Sequence, residues 1–321
     1  MKRIFLSFFI VICTLALFAG CANTTRPTDL GKVNVVATIF PQYDFIREIA
    51  GEHVNLTMLL PPGTESHSYE PTPQDIILIQ NCDIFVYVGG DSDAWVHKIL
   101  DSMDTSKMKI ITLMDCVDIV EEELVEGMEG DHEHDEDVDE HDAEEHEYDE
   151  HVWTSPKNAK IIVQTISNVL CETDAENADI YKENTAAYLN RLDDLDAKFQ
   201  DVVDSAARNT LVFGDRFPFR YLADAYGLEY FAAFPGCAAE TEASAATVAF
   251  LIDKVSAENI PVVFHVELSN QKMANIISEE TGAKVLLFHA CHNVTKDEMA
   301  NGVSYIDLMN QNVVNLKEAL K

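Results

Sequence analysis

Four histidines stand in a run of acidic residues near the middle of the chain, and their side chains could bind a metal cation. Residues 131–156 read DHEHDEDVDEHDAEEHEYDEHVWTSP. Imidazoles at irregular short spacing in an anionic tether suit weak, exchangeable capture of a borderline divalent cation such as Zn²⁺. The alternative is a solvated acidic loop with incidental histidines, which is what an acidic run usually is. The four histidines are His132, His134, His141 and His146.

Polar side chains also follow apolar runs that indicate strands. His67 lies in the proline-rich loop 61–73, which leaves it little conformational entropy to lose. His151 precedes a proline-started helix, Asp215 follows the first strand of the second half, and His289 ends the last strand. Ligands of parallel sheets bind at the carboxyl ends of strands. Several imidazoles and a carboxylate at such ends can build a tetrahedral cation site.

Each of these residues has an ordinary alternative. A lone histidine on a loop is more often a hydrogen-bonding surface group than a metal ligand. His265 lies inside an apolar run, so we expect it to be a core histidine or a residue that supports a ligand. His67, His151 and His289 are all expected near the ends of strands, and this shared position favours all three as metal ligands.

The elements that must position these residues alternate between strand and helix in both halves of the chain, which argues for parallel βαβ units. The predicted strands are 33–39, 54–60, 83–88 and 108–113, then 210–213, 228–234, 260–266 and 283–289. The predicted helices are 41–51, 73–81, 93–103, 156–171, 178–207, 219–226, 243–258, 269–281 and 305–320.

The N-terminus has the pattern of a targeting segment. A basic start and a short apolar stretch are followed by the sequence LFAGC, which resembles a bacterial lipobox ending at Cys21. We therefore expect residues 1–20 to be a lipoprotein signal peptide, Cys21 to be lipidated and residues 21–32 to be a tether. A plain signal peptide cleaved elsewhere is the alternative.

Charge restricts the possible partners. The formal net charge is −34, and residues 121–150 hold 18 of the 56 acidic residues with no Lys or Arg. Phosphate binding needs basic patches, so the composition argues against a nucleic-acid partner and favours cations.

Two motifs carry a resemblance to a known family. The loop PPGTESHSYEPTP at residues 61–73 looks like the PPGxxPHxYEPTP loop of zinc ABC-transporter substrate-binding proteins. The sequence DEHVWTSP at residues 149–156 resembles the D-P-H-x-W-x-S-P motif of that family, and an acidic, His-rich insert before it is typical of the zinc branch. The resemblance covers essentially the whole mature chain.

The resemblance implies an α/β fold of two βαβ lobes with mainly parallel sheets, joined by one long helix, with a metal site in the cleft between the lobes. The expected segments are an N-terminal lobe 33–177 that includes the insert 121–150, a connecting helix 178–207 and a C-terminal lobe 208–321. It also implies that His67 and His151 are metal ligands.

The second half departs from the family pattern. Where the family has a third histidine, residues 214–222 have none; the aligned residue is Arg216, which cannot ligate a cation. Asp215 could do so, and His289 occupies the position of the family's final acid. The expected ligand set is therefore His67, His151, His289 and Asp215, which is nitrogen-rich and favours Zn²⁺. The alternative ligands are Glu240, Glu242, Glu267, Cys291 and His292.

The seven cysteines include no CxxC pair, which argues against a structural zinc knuckle. Cys237 and Cys291 both follow strand ends, so we expect a disulfide between them in an oxidising exterior, with Cys291 as a zinc ligand being the alternative.

The sequence thus predicts an extracytoplasmic solute-binding protein that captures Zn²⁺ and delivers it to an ABC permease. We expect a lipid-anchored monomer on the outer face of the cell membrane. The alternatives are a manganese or iron-binding member of the same family and a metal-binding surface adhesin. A zinc hydrolase is disfavoured because the sequence has no HExxH and no nucleophile motif, so we expect no enzyme activity.

Overall fold

The computed structural model describes residues 31–128, 147–238 and 243–321. The predicted signal peptide, Cys21 and nearly all of the tether lie outside the described residues. So do the four histidines of the insert, as well as Glu240 and Glu242. No helix among the described residues combines the length and the apolar character needed to cross a membrane.

The first half forms a four-stranded parallel sheet. Its strand order is β2-β1-β3-β4, and every neighbouring pair is parallel. Such an order requires crossover helices between strands, as the alternating sequence pattern predicts. The strands are β1 Val33–Ala37, β2 Val54–Met58, β3 Ile84–Tyr87 and β4 Lys109–Thr112.

The second half repeats this arrangement with the order β6-β5-β7-β8, again all parallel. Strand β5 is longer than predicted, because it continues through an irregularity between Phe213 and Arg216 instead of ending at Phe213. The prediction of two parallel-sheet α/β lobes is confirmed, while the boundaries between the lobes stay predictions. The strands are β5 Thr210–Phe217, β6 Glu229–Pro235, β7 Val262–His265 and β8 Lys284–Leu287.

The helices of the first half and the long helix that follows lie close to their predicted positions. The 3₁₀ turns at Asp91–Asp93, Met114–Cys116 and Val152–Thr154 were not predicted. The helices are α1 Phe40–Ala50, α2 Pro73–Gln80, α3 Ala94–Leu100, α4 Pro156–Thr173 and α5 Ala178–Asp204.

The helices of the second half include one, α9, that the sequence did not predict. They are α6 Arg220–Tyr226, α7 Ala245–Glu258, α8 Lys272–Thr281, α9 Lys296–Ala300 and α10 Tyr305–Ala319. Helix α5 packs against α1, α4 and α10, so it contacts elements from both halves of the chain.

The core is continuous between the two sheets. One cluster of buried side chains includes Phe45 and Ile84 from the first half and Phe213 and Phe264 from the second. Burial of apolar surface stabilises a fold by about 25 cal/mol per Å². Because aromatic side chains bury the most surface, they contribute most of the stabilisation of such a core. The loops at the strand ends therefore extend from a firmly packed base.

Candidate metal centre

His67 lies in the loop between β2 and α2, which the second half of the chain holds in place. The buried side chain of Asn293 donates from Nδ2 to the carbonyl oxygens of Pro61 and Thr64, both at 2.8 Å. The Nδ1 atom of His67 lies 3.1 Å from the Ser92 hydroxyl oxygen. The imidazole is thus fixed both by its own loop and by a contact from the first sheet.

His151 is fully buried at the start of the 3₁₀ turn Val152–Thr154. Its carbonyl oxygen accepts a bond of 2.8 Å from the Thr154 hydroxyl, and its Nδ1 lies 3.0 Å from Asp149 Oδ1. The backbone of Gly236 packs on the ring, since a Cβ there would lie 3.0 Å from ring atoms Cε1 and Nδ1. A larger residue at this position would therefore crowd the ring of His151.

His292 lies in the turn that follows β8. The carboxylate of Glu267 accepts from the backbone N–H of His292 at 2.9 Å and lies 3.3 Å from its Nδ1, while its other oxygen accepts from Ala290 N at 2.7 Å. The carbonyl of His292 accepts from Phe40 N at 3.1 Å. Cys291 has a left-handed φ of 65°, which turns the chain just before His292.

These three histidines form one group. One ring nitrogen from each of His67, His151 and His292 lies within 4.8 Å of the others, and the ring centroids are separated by 5.7, 5.2 and 4.8 Å. The Nε2 atoms of His151 and His292 are buried and have no hydrogen-bond partner among the described residues. A buried imidazole nitrogen without a partner is costly, and a metal ion would relieve that cost.

Each imidazole has an acceptor beside Nδ1, which fixes the proton there and leaves Nε2 as a lone-pair donor. For His67 this acceptor is the Ser92 hydroxyl, which in turn donates to Glu150. Burial raises the pKa of Glu150 to about 8, although its hydrogen bonds from Ser92 oppose the shift. A carboxyl group thus stands behind each of the three imidazoles, and the one behind His67 acts through Ser92.

The protonation states favour metal binding. Burial lowers the pKa of His67 well below 6.5, and repulsion from the neighbouring imidazoles and Arg216 adds to the shift. Burial also lowers the pKa of His151. Burial alone would raise the pKa of Glu267, but the imidazoles of His289 and His292 and its hydrogen bonds lower it to about 2. The shifts thus favour neutral imidazoles at His67 and His151 and an ionised carboxylate at Glu267, the forms that bind a cation or support its ligands.

His289, a predicted ligand, lies behind Glu267 and outside the three-histidine group. Its Nδ1 accepts from Cys291 N at 2.9 Å and lies 3.6 Å from Glu267 Oε2. Its backbone N–H donates to Asn312 Oδ1 at 2.7 Å. These contacts give His289 a structural role in the turn, and its role as a ligand stays a prediction.

Asp215, the other predicted ligand of the second half, also lies outside the group. Its two carboxylate oxygens accept from the backbone N–H groups of Arg216 at 2.9 Å and Val266 at 3.2 Å. It borders a cavity of about 260 Å³ that His67 and His292 also line.

Arg216 lines the same cavity and links the two halves. Its Nη1 lies 3.0 Å from Oε1 of Glu65, which stands in the loop of His67. The residue that replaces the family's third histidine thus forms an ion pair across the cleft.

The predicted disulfide is not formed, because Cys237 and Cys291 are both free thiols. Cys291 is fully buried with Sγ 3.8 Å from the carbonyl of His289, whereas Cys237 is half-buried beside His151. Donor atoms of Glu150, His151 and Cys237 form a second group within 4.8 Å of one another. His292, named only as an alternative, had no stronger signal in the sequence than its place after a strand end.

Comparisons with known proteins identify the family of this chain. The profile of the ZnuA family, described as zinc-uptake complex component A, periplasmic, matches residues 35–319. The zinc-binding lipoprotein AdcA of Streptococcus pneumoniae R6 is 33% identical over 307 residues, which are 96% of this chain but only 59% of AdcA. The high-affinity zinc uptake system protein ZnuA of Bacillus subtilis is 31% identical over 316 residues, covering 97% of this chain and 96% of that protein.

Solved structures show the same fold. The Zn(II)-bound ZnuA-like domain of Streptococcus pneumoniae AdcA superposes with a TM-score of 0.73 at 30% identity, covering 90% of this chain and 99% of that one. The resemblance indicated by the two motifs is therefore confirmed over nearly the whole described chain.

Proposed function

The chain belongs to the family of the zinc-uptake complex component A, and we propose that it captures Zn²⁺ outside the cytoplasm and delivers it to an ABC permease. The proposal extends to a lipid anchor at Cys21, a monomeric state and a location at the outer face of the cell membrane. No reaction is assigned: Asp149 and Glu267 are engaged with imidazole Nδ1 atoms, so they orient ligands and do not stand free as bases.

The proposed ligands are His67, His151 and His292, a revision of the set expected from the sequence. The observation that carries the proposal is the pair of buried, unpartnered Nε2 atoms of His151 and His292, which converge with His67. Three neutral imidazoles suit zinc, whereas manganese favours oxygen ligands. The neighbouring cavity leaves room for a fourth ligand or a water molecule.

The acidic insert would serve as a collector of cations beside this site. Its ends are joined by an antiparallel bridge between Glu121 and Tyr148, and Asp149 N donates to Val120 O at 3.0 Å. This neck lies next to His151 in the chain, so the negative charge of the insert would raise the cation concentration near the cleft. Deleting residues 131–146 should remove weak zinc sites and leave one tight site.

The test is the metal content of the full chain, purified in detergent without chelator and dialysed. We expect one tightly held zinc in the wild type, its loss in His67→Ala and its retention in the control His97→Ala, which alters an exposed histidine outside the group. Manganese or no metal in the wild type would refute zinc capture. Zinc retained in His67→Ala would refute the ligand set and leave zinc binding in place.

A further inference from the structure

We propose that Cys237 is a metal ligand that forms, with Glu150 and His151, a second cation position sharing His151 with the three-histidine group. The inference rests on the proposed capture of zinc in this cleft. A carboxylate oxygen, an imidazole nitrogen and Sγ of these residues lie within 4.8 Å of one another. Carboxylate, imidazole and thiolate are the three side-chain groups that bind zinc in proteins.

The local backbone places Cys237 there. Strand β6 ends at Pro235, and Gly236 then packs directly on the His151 ring. The N–H of Cys237 donates to Glu122 Oε1 at 2.9 Å, which fixes the turn against the neck of the insert. The thiol is therefore held beside the ring by two contacts that do not involve the thiol itself.

The other two donors are already positioned. Glu150 is 3% exposed and is held by the hydroxyl and the N–H of Ser92. His151 is fully buried, and its Nε2 has no hydrogen-bond partner among the described residues. His151 contributes a ring nitrogen to both groups of donors, so the two positions share this residue.

The two positions differ in charge. Three neutral imidazoles leave the charge of the dication uncompensated, whereas one thiolate and one carboxylate neutralise it. On binding, the S–H bond of Cys237 and the O–H bond of the protonated Glu150 carboxyl break, Zn–S and Zn–O bonds form, and two protons leave to bulk water. An ion could exchange His67 and His292 for Glu150 and Cys237 beside the same His151 ring, so that transfer needs no fully hydrated intermediate.

A thiolate also selects the ion. Soft sulfur ligands favour zinc, while manganese favours carboxylates and water. The Cys237 position therefore discriminates against manganese more strongly than the imidazole group does. Replacing the thiol by a hydroxyl should lower the preference of the protein for zinc over manganese.

The test uses Co²⁺ as a spectroscopic substitute for zinc, added to the metal-free full chain. We expect a sulfur-to-cobalt charge-transfer band in the wild type, its loss in Cys237→Ser, and its retention in Cys171→Ser, which alters a half-buried cysteine on α4. A wild type that binds cobalt without this band, or a band that persists in Cys237→Ser, overturns the proposal and leaves zinc capture intact. A wild type that binds neither cobalt nor zinc refutes the proposed function itself.

A second measurement needs no variant. Zinc should protect the Cys237 thiol of the wild-type chain from alkylation, as read by peptide mass spectrometry, without protecting Cys116 or Cys171. Equal alkylation of Cys237 with and without bound zinc would contradict its role as a ligand.

Discussion

The first and second halves of the chain bring histidines to the cluster in different ways. His67 and His151 stand in segments that also carry local constraints, a proline-rich loop and a 3₁₀ turn closed by the Thr154 hydroxyl, while Asn293 of the second half adds a remote contact to the His67 loop. His292 stands in a turn shaped by distant partners: its carbonyl accepts from Phe40 N. A motif therefore locates a residue well when its conformation is local, and poorly when remote contacts decide it.

The largest effect should come from His151, which belongs to both groups of donors. His151→Ala removes a fully buried imidazole that is common to both donor groups found among the described residues. Because even the loss of a residue that supports a ligand costs 10–100-fold in metal affinity, we expect a loss of more than about 100-fold. Competition with a chelator measures it, and His53→Ala is the control. An unchanged zinc affinity in His151→Ala would show that His151 does not bind the ion and would refute the proposed site.

The second half gives the sharpest contrast, between two histidines three residues apart. His292→Ala should weaken zinc binding by about 100-fold or more, as a lost ligand does, whereas His289→Ala should change affinity by less than about 10-fold. His289→Ala should instead lower the free energy of unfolding by about 1–3 kcal/mol, since Cys291 N loses its buried acceptor.

Chelator competition and urea unfolding on both variants separate the two effects. If His289→Ala lost zinc while His292→Ala retained it, the ligand set expected from the sequence would be right and the geometric revision wrong.

The contrast between local and remote constraints also explains which parts of the structure could be predicted from the sequence. Alternation of apolar strands with helices predicted both parallel sheets, because the pattern is repeated and each element is local. Strand β5 was predicted to end at Phe213, since Gly214 and Asp215 resemble a strand end; pairing of Arg216 with Phe234 extends it. Only tertiary contacts reveal such an extension.

The differences between the site expected from the sequence and the cluster in the structure have the same origin. The left-handed turn at Cys291 decides whether His289 or His292 faces the cluster, and it has no glycine or asparagine to indicate it. The expected Cys237–Cys291 disulfide relied on both residues following strand ends, but the turn buries Cys291 on the side of His289. The positions of these residues in the sequence did not determine the directions in which their side chains point.

A smaller effect on affinity should follow from Glu267, the carboxylate that orients His292. Glu267→Gln keeps the shape of the side chain but removes the negative charge beside Nδ1, so zinc affinity should fall by about 10–100-fold. The control is Glu65→Gln, which removes the negative charge of the 41%-exposed partner of Arg216, a pair worth at most about 1 kcal/mol, and keeps an amide oxygen for the N–H of Ser68. Equal effects of the two substitutions on chelator competition would mean that Glu267 does not position a ligand.

The smallest effect on zinc should come from Asp93, which supports the first half without touching the histidine group. Its Oδ2 accepts from Val88 N at 2.8 Å and from Gly89 N at 3.3 Å. Burial raises its pKa from 3.8 to about 6, although these backbone hydrogen bonds oppose the shift. Asp93→Asn should therefore leave zinc affinity unchanged and alter the dependence of stability on pH.

The direction of this pH dependence follows from the raised pKa of Asp93. Protonation of Asp93 stabilises the fold, so its contribution is complete below pH 3.8 and is lost as the pH rises through about 6. Between about pH 4 and pH 7, the unfolding free energy of the metal-free wild type should fall relative to Asp93→Asn by on the order of 3 kcal/mol. Urea unfolding across this range measures the difference. If the difference in unfolding free energy between the two proteins stayed constant with pH, the pKa of Asp93 would not be raised. If Asp93→Asn changed the zinc affinity, the scaffold of the first half would be less independent of the site than its local constraints indicate.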